Sequence, residues 1–201
     1  MNSILTVTDN DGNKYSIVKI NNQLWMAENL YVSRFRNGDT IPEAKTDEEW
    51  ERAGDESNPA WCYYDNDLAN GKRYGKLYNW YAVADPRGLA PEGWHIPSDE
   101  EWIQLTDNLG GEEIAGYKMK STNGWRGEGN GTNESGFSGL PGGYRDVNGD
   151  YYPIGDYGIW WSSTEYSPRY AWNRFLHFNS GIVYVNVYYK LNGFSVRCLR
   201  D

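Results

Sequence analysis

The sequence predicts an α+β fold, with two to three short helices in its first two thirds and an antiparallel sheet at its end. Two Ser/Thr-x-x-Glu signatures mark helix starts in the first half of the chain. The last quarter alternates short aromatic and β-branched runs with Asn and Gly turns. Aromatic residues make up 16% of the chain, a composition unlike that of a helical bundle.

The chain opens with a predicted β-hairpin. Ile4–Thr8 and Lys14–Ile20 alternate apolar and polar residues on either side of Asp9–Asn13. The Asp11-Gly12 pair favours a tight turn between them. The same acids weakly resemble a calcium loop, but the later ligands, including a distal Glu, are missing. The pattern therefore favours the turn.

Capping boxes predict two helices, and a charge gradient predicts a third. Thr46 and Ser98 are each followed three residues later by Glu, which satisfies the free amides of a helix start. The second helix is expected over Asp99–Leu109, and a third over Glu112–Lys120, with its acids first and its lysines last. Capping accounts for the acids without a carboxylate cluster for acid–base chemistry.

A long excursion, Thr122–Gly158, separates the helices from the final strands. It is rich in Gly, Asn, Asp and Tyr, yet holds enough large side chains to pack its own interior. Asp-rich runs at Asp65–Asp67 and Asp146–Asp150 are interpreted as Asx turns rather than calcium sites. Four strands are predicted after it: Ile159–Ser163, Ala171–Phe178, Ile182–Tyr188 and Phe194–Leu199.

Composition excludes several classes of protein. At 201 residues, we expect one domain over residues 1–201. A net charge of −9 argues against nucleic-acid binding, and no apolar run reaches the ~18 residues of a membrane span. The first residues lack the features of a signal peptide. Cys62 and Cys198 allow either one disulfide or two buried thiols.

No catalytic or metal-binding constellation emerges from the residues. The two histidines, His95 and His177, and the two cysteines do not make a zinc pattern. Gly136–Leu140 misses the nucleophile-elbow motif at its fifth position. His95, at a helix start, fits a structural role better than a catalytic one. We therefore expect no enzyme, no metal and no cofactor.

The segment Tyr166–Asn192 has the composition of a recognition surface. It combines many tyrosines with Asn and Ser, and its only charges are positive. In a strand over Ile182–Tyr188, period two places Val183, Val185 and Val187 toward the core and the tyrosines outward. An ordinary aromatic-rich sheet, with its tyrosines packed on loops, remains the alternative.

The same segment has an unusual codon property. Every residue from Tyr166 to Asn192 except Trp172 and Lys190 can be encoded by a codon ending in a pyrimidine. Met, Gln and Glu, which cannot, are absent, whereas about five such residues are expected at ordinary usage.

Several motifs together resemble the Fibrobacter succinogenes major paralogous domain family: GNKYSIVKINNQLWMAENL, GKLYNWYAVADPRGLAPEGWHIPSDEEW, GFSGLPGGYR, WWSSTEY and GFSVRCLRD. WHIPSDEEW is also similar to relatives of formylglycine-generating enzyme, which have a C-type lectin fold. The resemblance implies a C-type lectin-like fold with paired terminal strands, flanking helices and a long loop-rich antiparallel region. The cysteine site of the catalytic relatives is not carried over to Cys62 and Cys198.

The end of the chain resembles the variable proteins of diversity-generating retroelements. In those systems the adenines of a template copy are mutagenised, so that Asn-type codons change into other codons that end in a pyrimidine. That resemblance implies framework residues at Trp172, Gly181, Val183, Lys190 and Gly193. It implies ligand-binding, variable residues at Tyr166, Arg169, Tyr170, Asn173, Phe175, His177, Asn179, Ser180, Ile182, Tyr184, Asn186, Tyr188, Tyr189 and Leu191. Val185 and Val187 fall in the same diversified set, in conflict with their core-facing period.

These features predict a binding protein whose variable segment, about residues 166–192, recognises a protein or glycan ligand. A cell-surface, extracellular or phage-particle location follows from the resemblance. The alternatives are a non-variable carbohydrate-binding or adhesin module and, third, an enzyme of the formylglycine-generating type.

Overall fold

A computed structural model describes residues 5–201 and confirms the α+β class. The helices in this range are α1 (Asp47–Asp55), α2 (Leu68–Tyr74), α3 (Trp80–Val83), α4 (Asp99–Asn108) and α5 (Glu112–Met119). The strands are β1 (Thr6–Thr8), β2 (Lys14–Ile20), β3 (Gln23–Met26), β4 (Trp61–Cys62), β5 (Leu77–Tyr78), β6 (Trp94–His95), β7 (Tyr144–Arg145), β8 (Tyr151–Tyr152), β9 (Tyr157–Glu165), β10 (Tyr170–His177), β11 (Tyr184–Tyr189) and β12 (Leu199–Arg200).

The predicted N-terminal hairpin is confirmed as the antiparallel pair β1–β2. Its turn is held by Asp9, whose Oδ1 accepts hydrogen bonds from the amides of Asp11 and Asn13, both at 2.9 Å. Gly12 takes the left-handed conformation there, at φ +85°. Ile4, the first residue of the predicted strand, lies outside the described residues. The next strand, β3, was not predicted.

The C-terminal strand completes the sheet that the N-terminal hairpin begins. The order of this sheet is β1-β2-β3-β12-β6, and Leu199 of β12 pairs with Trp25 of β3 and with His95 of β6. The two ends of the chain therefore pair, as the family resemblance implied. Tyr15 and Met26 share a buried cluster with Phe194 and Cys198.

Both predicted capping boxes are confirmed. The hydroxyl groups of Thr46 and Ser98 accept from the amides three residues on, and the Glu side chains return the bond at the starts of α1 and α4. The expected number of two to three helices was too low, because α2 and α3 were not predicted. Asp67 and Asn79 cap these helices through the amides of Ala69 and Ala82. At seven and four residues, both are too short to show a helical period.

The predicted strand Phe194–Leu199 is mostly wrong. Only Leu199 is in a strand, because the preceding residues bond to a different partner at almost every step. Phe194 exchanges backbone hydrogen bonds with Tyr78, whereas the Ser195 amide donates to Ile159 and the Val196 carbonyl accepts from Leu30. The segment is extended and buried, and it runs between several elements rather than along one ladder.

The long excursion is ordered and packs on itself, as expected. Trp125 and Phe137 are buried, and the indole Nε1 of Trp125 donates to the Gly139 carbonyl at 3.1 Å. The excursion also forms the small hairpin β7–β8. None of the helices in residues 5–201 is long and apolar enough to cross a membrane.

Candidate functional site

The segment singled out by the sequence, Tyr166–Asn192, contributes β10 and β11 to a second sheet, ordered β11-β10-β9. Tyr170–Phe175 of β10 pair antiparallel with Tyr189–Tyr184 of β11. One side of this sheet faces the helices. There Leu176, Val183 and Trp160 share a buried cluster with side chains of α4 and α5. We call the exposed and half-buried side chains from Tyr166 to Leu191, on both sides of the sheet and at the strand ends, the terminal surface.

The three valines predicted to face the core follow period two only in part. Val183 is buried in the helix-facing cluster, while Val185 and Val187 are half-buried. Val185 pairs with Arg174, a buried residue whose guanidinium lies 2.6 Å from the Asp99 carboxylate of α4. The side chains of Val185 and Val187 point toward the helices but are only half-buried, so part of each remains accessible to solvent.

Most of the residues predicted to bind ligand reach solvent, and one does not. Tyr166, Arg169, Asn179, Asn186 and Tyr189 are exposed. The half-buried members are Tyr170, Phe175, His177, Ser180, Ile182, Tyr184, Tyr188 and Leu191. Asn173 is fully buried, and its Nδ2 donates to the Asn186 carbonyl, so we correct its assignment as a surface residue. Leu191 packs against Gly54 of α1, away from the aromatic residues.

The aromatic residues of the terminal surface lie in contact across the strands. The rings of Phe175 and Tyr184 stack with centroids 4.5 Å apart and planes 9° apart. Tyr170 and Tyr189 form a second cross-strand pair, also at 4.5 Å. Tyr188 packs edge-on against the core residue Phe194 at 5.5 Å. These contacts hold the rings in fixed positions, which lowers the entropic cost of using them in binding.

Three tyrosines from the excursion extend this aromatic region, which was not predicted. Tyr157 lies 4.9 Å from His177 between ring centroids, and Tyr144 lies 5.8 Å from Tyr157. Tyr152 stacks on Tyr144 at 4.3 Å and remains 40% exposed. Burial and the neighbouring Tyr157 and Tyr152 raise the pKa of Tyr188. The available signal was the density of Tyr in the excursion, which does not show where the excursion folds.

The turn between β10 and β11 is fixed through backbone atoms. Lys120, buried at the end of α5, donates its ammonium group to the carbonyls of His177 and Ser180, at 2.5 and 2.6 Å. Burial lowers the pKa of this lysine to about 8. The amide of Val183 donates to the Glu112 carbonyl at 2.8 Å. These bonds do not depend on which side chains stand at 177 to 180.

The opposite end of the two strands is held in a similar way. Lys190 is buried over the ring of Trp80, and its ammonium group lies 2.6 Å from the Glu165 carboxylate. Its backbone amide donates to the Arg169 carbonyl, and its carbonyl accepts from the Trp80 amide. Gly193 leaves no room for a side chain, since a Cβ there would lie 2.8 Å from the Trp50 ring. The framework positions Gly181, Val183, Lys190 and Gly193 are all buried.

The two cysteines do not form a disulfide. Cys62 and Cys198 are free and buried, so the thiol alternative is the one found. They belong to different core clusters. Burial raises the pKa of Cys62 to about 11 and that of Cys198 to about 12. Since the thiolate is the reactive form, neither thiol is activated for nucleophilic chemistry.

His95 connects the last strand to α4. Its Nδ1 lies 2.7 Å from the Asp201 carboxylate and its Nε2 2.9 Å from that of Glu101. Partial burial opposes the charged imidazolium, but the hydrogen bonds to the two carboxylates outweigh it and raise the pKa of His95. The arrangement is the structural role expected from the sequence.

The acidic runs form turns, as expected. Asp146 Oδ1 accepts from the amides of Asn148 and Asp150 in the β7–β8 turn. Asp67 is committed to capping α2. Within the described residues, no group of three His, Cys, Asp or Glu side chains is arranged to hold a metal ion.

Comparison with known families decides the identity of the chain. The family model described as the Fibrobacter succinogenes major domain matches residues 18–200. The chain belongs to this family. The match begins inside β2 and ends inside β12, so the Fibrobacter succinogenes major domain includes the paired terminal strands, the excursion and the terminal surface. No curated protein matches the chain.

Proposed function

We propose that this protein binds a protein or glycan ligand through its terminal surface, and that this surface is diversified by a retroelement. The observation that carries the proposal is the separation of two sets of positions. The positions assigned to the framework are buried except for the half-buried Trp172, while those assigned as variable have accessible side chains, apart from Asn173. A surface that changes from copy to copy requires such a separation.

The backbone contacts explain how varied side chains would be tolerated. Lys120 and Lys190 hold the two ends of the β10–β11 pair, and neither belongs to the variable set. Lys120 contacts carbonyl oxygens, which every residue type supplies. Much of the stability is therefore assigned to residues outside the binding surface. At Phe175 and Tyr188, which pack against the core, a new side chain must still fit it.

The composition of the surface favours extended recognition by rigid rings. Tyr166 and Tyr189 are exposed, Tyr170 is half-buried, and Arg169 supplies a positive charge on an otherwise acidic protein. Tyrosine provides large contact area for two rotatable bonds, and arginine is enriched at binding hot spots. Binding involves no covalent chemistry in this proposal.

We also propose that the fold belongs to the C-type lectin class. The paired ends of the chain, the helices beside the sheet and the folded excursion support that assignment. A location at the cell surface, outside the cell or on a phage particle belongs to the same proposal, because such recognition acts on external targets.

The proposal is tested by the DNA that surrounds the coding sequence. We expect a reverse transcriptase gene and a near-copy of the Tyr166–Asn192 coding segment, with differences at adenines. Absence of both from the complete locus would rule out diversification.

A matched pair of libraries tests whether the two sets of positions differ in their tolerance of substitution. Pyrimidine-ending codons at the exposed positions should leave most members folded, whereas the same codons at Gly181, Lys190 and Gly193 should leave few.

The second candidate is a non-variable module that binds carbohydrate, and the stacked pair Tyr144–Tyr152 favours it. An exposed ring stacked on a fixed one suits the apolar face of a sugar. Sister genes that differ nowhere in the terminal surface would support this candidate. The third, an enzyme of the formylglycine-generating type, is disfavoured by the buried, protonated thiols of Cys62 and Cys198.

A further inference from the structure

A cleft of about 640 Å³ lies outside the terminal surface. The start of β2, the end of α2 and the loops near Ser121 and Asn133 form its walls. None of its lining residues falls between Tyr166 and Leu191. Any ligand of this cleft would therefore be bound independently of the terminal surface.

The charge of the cleft is opposite to that of the protein. Lys14, Lys72 and Arg73 line it, together with a single carboxylate, Glu28, in a chain of net charge −9. Glu28 is engaged by the Ser16 amide, which donates to its Oε2 at 2.7 Å. Within residues 5–201, none of the three cations forms an ion pair. With three cations and one carboxylate the cleft carries a net positive charge, which favours an anionic ligand.

The wall that carries two of these cations is fixed to the core. Asn29, which is buried, donates its Nδ2 to the Tyr74 carbonyl at 2.7 Å, next to Lys72 and Arg73. Asn29 Oδ1 in turn accepts from the Trp160 indole at 2.8 Å. Gly75 permits this close packing. Its φ is +83°, and a Cβ at this position would lie only 2.7 Å from the Cβ of Asn29. A rigid wall lowers the entropic cost of binding.

The rest of the lining is neutral and combines polar side chains with apolar ones such as Ala27 and Leu140. It includes Thr122 and Asn123, whose hydroxyl and amide can both donate and accept hydrogen bonds. Asn13 and Asn133 also line it, but Nδ2 of Asn13 is bonded to Asp9 and the side-chain amide of Asn133 to Ser138. The half-buried ring of Tyr31 is present as well, stacked on Tyr63 at 5.9 Å. Such groups match a ligand with several hydroxyls, which inorganic phosphate or sulfate does not offer.

We propose that this cleft binds an acidic saccharide, a short oligosaccharide that carries carboxylate groups. The cations of β2 and α2 bind the carboxylates, and the amides and hydroxyl of the loops bind the sugar hydroxyls. The proposal does not depend on the function assigned to the terminal surface.

Calorimetric titration of the 201-residue chain with trigalacturonate tests this proposal, with its methyl ester as the uncharged control and inorganic phosphate as a simple anion. We expect binding of trigalacturonate, at least tenfold weaker binding of the ester and no comparable binding of phosphate. Lys14→Ala and Arg73→Ala should each weaken binding by about tenfold, the usual loss for a charged hydrogen bond. Lys19→Ala, an exposed lysine on the same strand, should change it less than twofold.

Three results would overturn the proposal: equal binding of the acid and its ester, binding that the Lys14 and Arg73 variants leave unchanged, or phosphate binding as tight as that of the saccharide. A Tyr184→Ala/Tyr188→Ala variant separates this site from the terminal surface. It should retain trigalacturonate binding, and loss of binding in a folded sample of that variant would likewise contradict the proposal.

Discussion

Lys120 Nζ lies 2.6 Å from the carbonyl oxygen of Ser180 and so joins the end of α5 to the turn of the terminal surface. The bond is made to the backbone, with a second bond to the His177 carbonyl beside it. A buried cation that serves several carbonyls stabilises a turn without specifying its side chains. The relationship is central to how the protein would tolerate change in this turn.

Replacing this lysine should destabilise the fold. In Lys120→Met the part-buried carbonyls of the turn lose their charged donor, and we expect a loss of about 2–3 kcal/mol in the free energy of unfolding. Urea denaturation followed by tryptophan fluorescence measures it. Lys19→Met, at an exposed lysine, is the control and should change the value by less than about 0.5 kcal/mol. If Lys120→Met lost no more stability than the Lys19→Met control, the bonds to the turn would not contribute to the free energy of unfolding.

A helix-favouring substitution should be harmful at Gly116. Alanine in the middle of a helix is normally better than glycine by about 1 kcal/mol. In α5, however, a Cβ at residue 116 would lie 2.4 Å from the Gly181 carbonyl oxygen. We therefore expect Gly116→Ala to lower the thermal midpoint, whereas Glu113→Ala, exposed on the same helix, should leave it nearly unchanged. A raised midpoint in Gly116→Ala would mean that α5 and the turn are not packed this closely.

The stability supplied by His95 should depend on pH. The pKa of His95 is raised in the folded protein, so its charged form is favoured by folding. Its contribution is complete below its ordinary pKa of about 6.5 and is lost as pH rises through the folded value. The stability difference between wild type and His95→Gln should therefore be larger near about pH 5 than near about pH 9. Denaturant titrations at both values test this, and a difference that grows with pH would contradict the ion pairs with Asp201 and Glu101.

Both thiols should be unreactive in the native protein. Cys62 and Cys198 are buried with raised pKa values, so a thiol reagent at neutral pH should modify neither until denaturant is added. Two reactive thiols should then appear in guanidinium without a reductant. Fewer than two would indicate a disulfide, and rapid native modification of one would revive the enzyme alternative.

Local sequence signals were sufficient where the physical cause is local. The capping boxes at Thr46 and Ser98 bring donor and acceptor within three residues, so sequence spacing alone predicts the helix starts. The Asp9 turn follows from the same short-range logic. Period two also assigned Val183, directly before β11, to the core, because alternation is a property of the extended chain itself.

Other features depended on contacts between distant residues. The segment after Gly193 has the composition of a strand, yet its hydrogen bonds go to Tyr78, Ile159 and Leu30 in turn. Tyr144 and Tyr152 lie beside the aromatic residues of the terminal surface only because the excursion folds back onto β9. Asn173 has the polarity of a surface residue, but its side chain is buried and bonded to the Asn186 carbonyl.

The sequence by itself determined the α+β class, the positions of the two helices with capping boxes, the initial hairpin and the segment that forms the terminal surface. Each of these depends on neighbours in the chain or on a repeated period. Tertiary structure alone decided which side chains reach solvent, that Cys62 and Cys198 stay apart, and that Lys120 holds the β10–β11 turn. The reason is physical: burial and long-range hydrogen bonds depend on which distant segments meet, and no local pattern specifies that meeting.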